Sequence, residues 1–218
     1  YDEALASSEK AMSLDADNIE VLNNRGVVLR DLNRLDEAMA LYDRALALKA
    51  DVAEVQMNRA MTLLLAGNFR EGWRVYEWRG KRRSVRSLKS FEEPLWLGVE
   101  SLAGKTILLH SEQGLGDTLQ FCRYASLVAG RGATVVLQVQ PSLVSLLQGL
   151  EGVSTVVGEG EPLPAFDFQC PLLSLPLAFD TELETVPCRI PYIEVDPALR
   201  RQWESRLGKP DRPRIGIA

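Results

Sequence analysis

The first third of the chain repeats one hydrophobic pattern with a period of 34 residues. Small and apolar residues recur at this spacing as the pairs Ala11 and Ala45, Leu14 and Leu48, Gly26 and Ala60, and Leu29 and Leu63. A repeat of this length is typical of stacked helical hairpins, in which small residues lie where two antiparallel helices approach closely. The pattern therefore predicts an α-helical repeat array.

After residue 98 the pattern changes to short apolar runs that alternate with segments of helical spacing. The predicted strands are Thr106–His110, Ala133–Val139, Val153–Val157, a segment near Phe166–Cys170, and Arg214–Ala218. The predicted helices are 118–130, Pro141–Leu150 and Pro197–Leu207, with a turn at Gly114–Asp117 and with Trp203 assigned to the core. Strands that alternate with helices favour a mostly parallel sheet covered on both faces.

These two patterns predict a multidomain protein that combines an α domain with an α/β domain. Residues 1–86 are expected to form about two and a half repeats, 87–98 a linker, and 99–218 an α/β lobe. The chain starts at the second helix of a repeat, without a methionine, and stops within a predicted strand. We therefore expect a fragment, with further repeats upstream and a lobe that is incomplete at its C-terminal end.

The net charge and the counts of particular residues argue against several classes of function. A net charge of -5 argues against a protein dedicated to nucleic acid, which needs a positive field. The chain has no run of about 20 apolar residues, as a membrane span requires, and its first residues do not resemble a signal peptide, so we expect a cytoplasmic protein. One histidine and three widely spaced cysteines argue against a metal site, a disulfide framework and a Ser-His-Asp triad.

A basic run lies near the junction of the two patterns and comprises Arg79, Lys81, Arg82, Arg83, Arg86 and Lys89. Its modest density favours a solvated face or a set of interdomain salt bridges, with phosphate binding as the alternative. Trp73 and Trp78 lie just before this run. They are predicted to pack the final hairpin against the next domain.

The candidate chemistry lies in the segment His110–Asp117, between the end of a strand and the start of a helix. Open parallel sheets bind ligands at this position, and Gly114 and Gly116 would let a ligand approach the backbone closely. The Gly-x-Gly-Asp pattern is a poor dinucleotide fingerprint, because a carboxylate at the helix start would repel a phosphate. Asp117 is either a helix N-cap, in a capping box with Gln120, or a general base.

The remaining polar residues of this segment are candidate ligand contacts. His110 could bind substrate from the strand end, and the alternative is a hydrogen-bonded strand end without a ligand. Gln113 is assigned to substrate binding together with Gly114 and Gly116. As loop polar residues, Gln113 and Glu112 have a weaker claim than Asp117.

Residues 1–86 resemble the tetratricopeptide repeat. Six residues match key positions of that family, namely Leu22, Gly26, Leu29, Ala38, Tyr42 and Ala45. Ala16 and Ala50 replace the proline usually found near the repeat end, and Arg79 stands where a small residue is usual, which suggests that the array is ending. The resemblance implies a concave surface that binds a protein or peptide.

Asn24 and Asn58 lie 34 residues apart and would project into this concave surface in register. In the O-linked transferases that carry such repeats, similar stacked asparagines bind the substrate backbone, because a carboxamide both donates and accepts hydrogen bonds. The resemblance therefore implies peptide binding by Asn24 and Asn58. The alternative is that both side chains cap or solvate helix surfaces.

Residues 91–218 resemble bacterial repeat proteins with a glycosyltransferase-like domain. The resemblance lies in Pro94–Gly98, Leu102–Phe121 and Arg214–Ala218. The layout is similar to protein O-linked N-acetylglucosamine transferases, and the Gly-Asp loop is similar to that of heptosyltransferases. Both groups have the GT-B fold of two Rossmann-like lobes, which implies that residues 99–218 are the N-terminal lobe and that Asp117 is the catalytic base.

The resemblance also implies the ligands and the reaction. A nucleotide-sugar donor would bind mostly to a second lobe beyond Ala218, without a covalently bound cofactor or a metal. The sequence thus predicts part of a glycosyltransferase whose repeats select the acceptor, and the fragment alone is expected to be inactive. The alternative function is a non-catalytic repeat scaffold that mediates protein–protein interaction. Neither a nucleic-acid partner nor a membrane span is expected.

Overall fold

The computed structural model describes residues 1–81 and 91–208, which form a helical repeat unit (2–81) and an α/β unit (91–208). The helices of the repeat unit are α1 (Asp2–Leu14), α2 (Ile19–Asp31), α3 (Leu35–Leu48), α4 (Ala53–Leu65) and α5 (Phe69–Tyr76), followed by a 3-10 helix at Glu77–Lys81. The strands of the α/β unit are β1 (Thr106–His110), β2 (Thr134–Val139), β3 (Thr155–Gly158) and β4 (Phe168–Pro171). Its helices are α6 (Leu115–Phe121), α7 (Ala125–Ala129), α8 (Val144–Leu147), α9 (Leu175–Ala178) and α10 (Pro197–Leu207).

The repeat helices form because short polar segments separate stretches with one apolar face. Asn18 begins α2 as an N-cap, since its Oδ1 accepts the N–H groups of Glu20 and Val21 at 3.1 and 3.2 Å. Each helix packs against the next. One cluster of buried apolar residues in this unit comprises Leu22, Leu29, Ala38, Tyr42, Ala45 and Val55. The predicted repeat array is thus confirmed.

Small residues in the repeats lie where helices touch. A Cβ added at Gly26 would lie 2.8 Å from Cζ of Tyr42, and one added at Gly72 would lie 2.7 Å from Cδ2 of Leu64. Such distances are shorter than van der Waals contact. The 34-residue recurrence of small residues therefore has the predicted physical cause.

The four strands form one parallel sheet in the order β3-β2-β1-β4. Leu108 at the middle of β1 pairs with Val136 on β2 and with Gln169 on β4. The predicted bounds of β1 are confirmed, and the other strands lie within two residues of their predicted starts.

The two faces of the sheet are covered in different ways. On one face Ile107, Leu109 and Leu137 pack with the helices in the larger core cluster of the α/β unit. On the other face Leu108, Val136 and Val157 pack against Phe91, Leu163 and Phe166. The chain runs from β3 at one edge of the sheet to β4 at the other edge, beyond β1. Because such crossovers are right-handed, this connection lies on the face opposite to the helices.

Part of the expected linker packs on the sheet. Leu95 forms a parallel bridge with Gln169, and the Trp96 N–H donates to the Gln169 carbonyl at 2.9 Å. The Trp96 side chain is fully buried, and its Nε1 donates to the Glu100 carbonyl at 3.0 Å. These residues therefore extend the β4 side of the sheet.

Two helix predictions are wrong in their bounds. The predicted helix 118–130 begins three residues earlier, at Leu115, and a 3-10 turn at Cys122–Tyr124 divides it into α6 and α7. The segment Gly114–Asp117 is therefore largely the first helical turn and not a separate turn. The predicted helix Pro141–Leu150 is a 3-10 turn followed by the four residues of α8.

The predicted bounds of α10 are confirmed, but the assignment of Trp203 to the core is wrong. Trp203 is 53% exposed, and no residue of α10 is buried. Leu199, Trp203 and Leu207 recur every four residues, and such a spacing identifies the apolar face of a helix without specifying what covers it. Residues 82–90 and 209–218 lie outside the described residues, and with them most of the basic run and the predicted strand Arg214–Ala218.

Candidate functional site

The candidate site lies at the carboxyl ends of the strands, where β1 is the point at which the chain changes direction across the sheet. β2 and β3 lie on one side of β1, and β4 lies on the other. In open parallel sheets the crevice at such a switch point is the usual ligand position. The loops that border it follow β1 and β4.

The repeat unit fills this crevice with a buried ion pair. Nε and Nη2 of Arg79 donate to Oε2 and Oε1 of Glu112 at 3.0 and 2.9 Å. Arg79 also donates to Glu77 at 2.5 Å and to the Ser174 hydroxyl at 2.6 Å, while Leu173 N–H donates to Glu112 at 3.3 Å. The Arg79 side chain is only 1% exposed, so the last 3-10 helix of the repeats is built into the α/β unit.

The pKa directions in this cluster follow from burial and charge. Burial raises the pKa of Glu112, and the Arg79 guanidinium opposes that rise without reversing it. Burial disfavours the charge of Arg79, yet Glu112 and Glu77 raise its pKa above the usual value. Two carboxylates share one guanidinium here, so the crevice would repel a phosphate. For Arg79, the structure agrees with the alternative of interdomain salt bridging, because its buried guanidinium pairs with Glu112 of the α/β unit.

The loop after β1 is also held from both sides by side-chain amides. Nε2 of Gln113 donates to the Tyr76 hydroxyl of the repeat unit at 3.2 Å. Nε2 of Gln140, which follows β2, donates to the Gln113 carbonyl at 2.9 Å, and its Oε1 accepts from Thr118 at 2.9 Å. The candidate substrate residue Gln113 thus lies exposed at the junction of three structural elements.

Asp117 lies in the first turn of α6, partly exposed, and its assignment as N-cap is wrong. The N-cap is Gly114, whose N–H donates to Oδ2 of Asp117 at 3.0 Å. Asp117 is the third residue of the helix and reaches back to the cap, and the predicted pairing with Gln120 is replaced by this contact. No hydrogen bond from the described residues reaches Oδ1, so this oxygen can accept one from a ligand.

Neither glycine of the loop is required by the fold. Gly114 has φ -72° and ψ 170°, which any residue adopts, and a Cβ added there would lie 3.4 Å from Asp117 Oδ2. A Cβ added at Gly116 would meet nothing within 4 Å among the described residues. The surface beside Asp117 is therefore open, and an added side chain would enter space that a ligand could occupy.

His110 lies below this surface. It is fully buried, with Nε2 2.9 Å from Oε1 of Gln169, and its ring centroid lies 5.1 Å from that of Phe91. In this conformation the imidazole contacts Gln169 of the neighbouring strand and is not exposed to solvent. The arrangement agrees with the alternative of a hydrogen-bonded strand end.

The two asparagines assigned to peptide binding differ in their surroundings. Nδ2 of Asn58 donates to Oδ1 of Asn23 at 2.8 Å, which links α4 to α2. Asn24 is exposed. The structure therefore pairs Asn58 with the residue that precedes Asn24, and peptide binding by Asn24 and Asn58 stays a prediction.

The packing of Trp73 between the units is confirmed. Its ring contacts Phe121 of α6 edge-on, with the ring centroids 5.8 Å apart. A cavity of about 320 Å³ lies beside this contact and is lined by Phe69, Trp73, Gln120, Phe121, Arg123, Tyr124, Thr181 and Val186. Lys81 lies over the Trp78 ring, with Nζ 4.1 Å from its centroid.

Sequence reasoning missed the cluster of Arg79, Glu112 and Ser174. The sequence indicates the end of the array at Arg79 and allows interdomain salt bridges for the basic run, but it names no partner for this residue. A charged residue at a buried position requires a partner of opposite charge. That requirement is the signal that could have directed attention to the loop polar residue Glu112.

Two kinds of sequence comparison bear on the chain. Residues 1–71 match the family model described as tetratricopeptide repeat. The match covers about the first third of the chain, and the helices of the repeat unit agree with it. Protein FlbA of Caulobacter vibrioides is 26% identical over 178 residues, which cover 72% of this chain and 30% of FlbA. The chain thus spans less than a third of the length of that relative.

A solved structure resembles the chain only weakly. A mutant of the Thermobaculum terrenum O-GlcNAc transferase matches with a TM-score of 0.33 and 12% sequence identity, over 70% of this chain and 36% of that one. A TM-score this low does not define a shared fold. Within residues 1–81 and 91–208, no helix is long and apolar enough to cross a membrane.

Proposed function

We propose that this chain is part of a glycosyltransferase that moves a sugar from a nucleoside diphosphate sugar to an acceptor hydroxyl. The observation that carries the proposal is the open surface at Gly116 beside Asp117, where the carboxylate offers Oδ1 to a ligand. The parallel order β3-β2-β1-β4 supports it, because this is how the doubly wound, Rossmann-like order begins. The sequence resemblance of the Gly-Asp loop supplies the reaction type.

In the proposed step the acceptor hydroxyl donates to Oδ1 of Asp117. Its oxygen attacks the anomeric carbon of the donor, and a new glycosidic bond forms as the bond from that carbon to the diphosphate breaks. The proton passes to Asp117, and the electron pair of the broken bond leaves with the diphosphate. General base catalysis of this kind contributes roughly 100- to 10,000-fold to a rate.

The donor is assigned to a second lobe, as the sequence resemblance implies. The crevice between β1 and β4 does not suit a diphosphate, since Glu77 and Glu112 outnumber Arg79 there. The repeats supply the acceptor specificity in this proposal. A protein or peptide in their concave groove, near Asn24 and Asn58, would present its hydroxyl to the loop of the α/β unit.

Release of nucleoside diphosphate from a panel of nucleotide sugars, measured with the full-length protein, tests the proposal. Asp117→Asn keeps the size of the side chain and removes its basicity. Asp36→Asn is the matched control, because Asp36 also lies in the first turn of a helix but on α3 of the repeats. We expect release with one donor that falls at least about 100-fold in Asp117→Asn and is unchanged in Asp36→Asn.

Two other outcomes would argue against it. Equal release by Asp117→Asn and the natural protein would remove Asp117 from the mechanism. Failure of every donor to bind, measured by calorimetry, would favour a non-catalytic repeat scaffold. One observation favours that second candidate, namely that the crevice at the switch point is filled by the protein's own Arg79, Glu112 and Ser174.

A further inference from the structure

We propose that the end of the repeat array is part of the candidate site, and that Arg79 is a positioning residue for the loop 111–117 that carries Asp117. Its effect on chemistry rests on the proposed function, whereas its effect on the loop does not. Arg79 acts through Glu112, and Tyr76 assists through Gln113. In this proposal the repeats bind the acceptor and also fix the position of Asp117.

Several side-chain contacts of the loop come from the repeat unit, in addition to those from Gln140 and Glu159 of the α/β unit. Glu112 accepts two N–H bonds from Arg79 and one from Leu173, and the next residue donates to the Tyr76 hydroxyl. Asp117 follows Glu112 by five residues. A fork-to-fork pair fixes the orientation of both groups in addition to their distance. A shift of the Glu112 carboxylate therefore moves the backbone that leads into α6.

The same contacts are not the only attachment between the units. Trp73 packs on Phe121, and Arg70 pairs with Glu182 at 3.3 Å, both without contact to the loop. Helix α5 also lies against α9. Weakening the Arg79 fork should therefore release the loop before it separates the units. This order distinguishes a positioning residue from general adhesion.

Arg79→Lys is the main variant, because lysine keeps the charge and loses the two-pronged geometry. Arg59→Lys is its matched control. Arg59 pairs with Asp43 at 3.0 Å and with Glu71 at 2.8 Å, so it too bridges two carboxylates, but within the repeats. Tyr76→Phe is a second variant that removes only the hydroxyl facing Gln113.

Amide hydrogen exchange of the full-length protein measures the positioning directly. We expect Arg79→Lys to speed exchange in residues 111–118 several-fold while β2 and α2–α4 keep their rates, since local opening is reported segment by segment. Arg59→Lys should leave residues 111–118 unchanged. Unaltered exchange of the loop in Arg79→Lys would overturn the proposal. If Arg79→Lys does not fold, Tyr76→Phe tests whether the repeats position the loop through Gln113. Faster exchange of residues 111–118 in Tyr76→Phe is then the expected result, and unaltered exchange would overturn the proposal.

Turnover provides the second readout. If the full-length protein transfers sugar, we expect Arg79→Lys to lower kcat roughly 10- to 100-fold with a smaller change in KM for the donor, because misplacement of a catalytic group by about 1 Å has effects of this size. Equal kcat values for Arg79→Lys and Arg59→Lys would overturn the catalytic part. Absence of turnover in the natural protein would contradict the proposed function and leave the exchange result to decide the positioning.

Discussion

The guanidinium of Arg79 and the carboxylate of Glu112 form two parallel hydrogen bonds, with N to O distances of 3.0 and 2.9 Å, although the residues lie 33 positions apart in the chain. Their side chains are 1% and 5% exposed, so water cannot replace either partner. Charged groups in such surroundings depend on each other, because each alone would be a buried charge without compensation. The pair therefore couples the stability of the repeat unit to that of the α/β unit.

Arg79→Met should destabilise the protein by about 3–5 kcal/mol, since it leaves the Glu112 carboxylate buried without its cation. Adding Glu112→Leu should recover part of this loss because it removes the uncompensated charge. Urea unfolding of the two variants measures the difference. Arg34→Met is the control, as the Arg34 pair with Glu37 is exposed and should hardly matter. A double variant that is less stable than Arg79→Met would contradict the expectation.

The raised pKa of Glu112 predicts a pH dependence of stability. Burial raises this pKa, so the folded protein binds a proton at Glu112 more readily than the unfolded chain does. The contribution of this group to the free energy of unfolding is therefore fully present below the usual carboxyl pKa and is lost as pH rises through the raised value. Glu112→Gln should lack this dependence.

Urea unfolding at several pH values between about 4 and 8 tests the sign. The free energy of unfolding of the natural protein minus that of Glu112→Gln should fall as pH rises. Parallel profiles for the two proteins would show that Glu112 does not change its proton affinity on folding.

The repeats could be predicted from sequence because their determinants are local and recur. Gly26 and Ala38 mark close helix contacts, and their spacing alone indicates a hairpin. The start of α6 could not be placed in this way. Gly114 and Asp117 are both acceptable N-caps, and the choice depends on how the loop after β1 is held by Gln140, a contact across 27 residues.

Gly26→Ala should destabilise the repeats by about 1–3 kcal/mol, because the new methyl would overlap the buried Tyr42 ring. Alanine stabilises a helix by up to about 1 kcal/mol relative to glycine. The measured change is therefore the loss of packing minus this gain in helix propensity. Thermal unfolding followed by circular dichroism measures it, with Gly149→Ala as control, since a Cβ there meets no described residue within 4 Å. A higher Tm for Gly26→Ala would mean that α2 and α3 are further apart than described.

The three cysteines should differ sharply in reactivity. Burial raises the pKa of Cys122 to about 12 and raises that of Cys170 well above its usual value, whereas Cys188 is exposed. The thiolate is the reactive form, so at about pH 8 only Cys188 should react quickly with a thiol reagent. Mass spectrometry after alkylation of the folded protein identifies the site, and Cys188→Ser should abolish the fast phase. Rapid labelling of Cys122 would contradict the burial of the 3-10 turn Cys122–Tyr124 in the core of the α/β unit.

The site was only partly predictable for a related reason. Asp117 and the glycines follow a strand directly, so their position at the sheet edge can be inferred from the alternation of elements. The partners of that loop come from distant segments, namely Arg79 and Tyr76 from the repeats and Leu173 after β4. No local pattern specifies such contacts. They depend on how the two units dock.

Gly116→Ala separates a structural role of this glycine from a ligand role. The fold leaves room for the methyl group, so the free energy of unfolding should change by less than about 0.5 kcal/mol. Under the proposed function the same methyl enters the space of the acceptor, and KM for the acceptor should rise, more so in Gly116→Leu. Gly149→Ala is the control for both measurements. Unchanged acceptor KM in Gly116→Ala and Gly116→Leu would place the acceptor away from α6, and Asp117 could then not serve as its base.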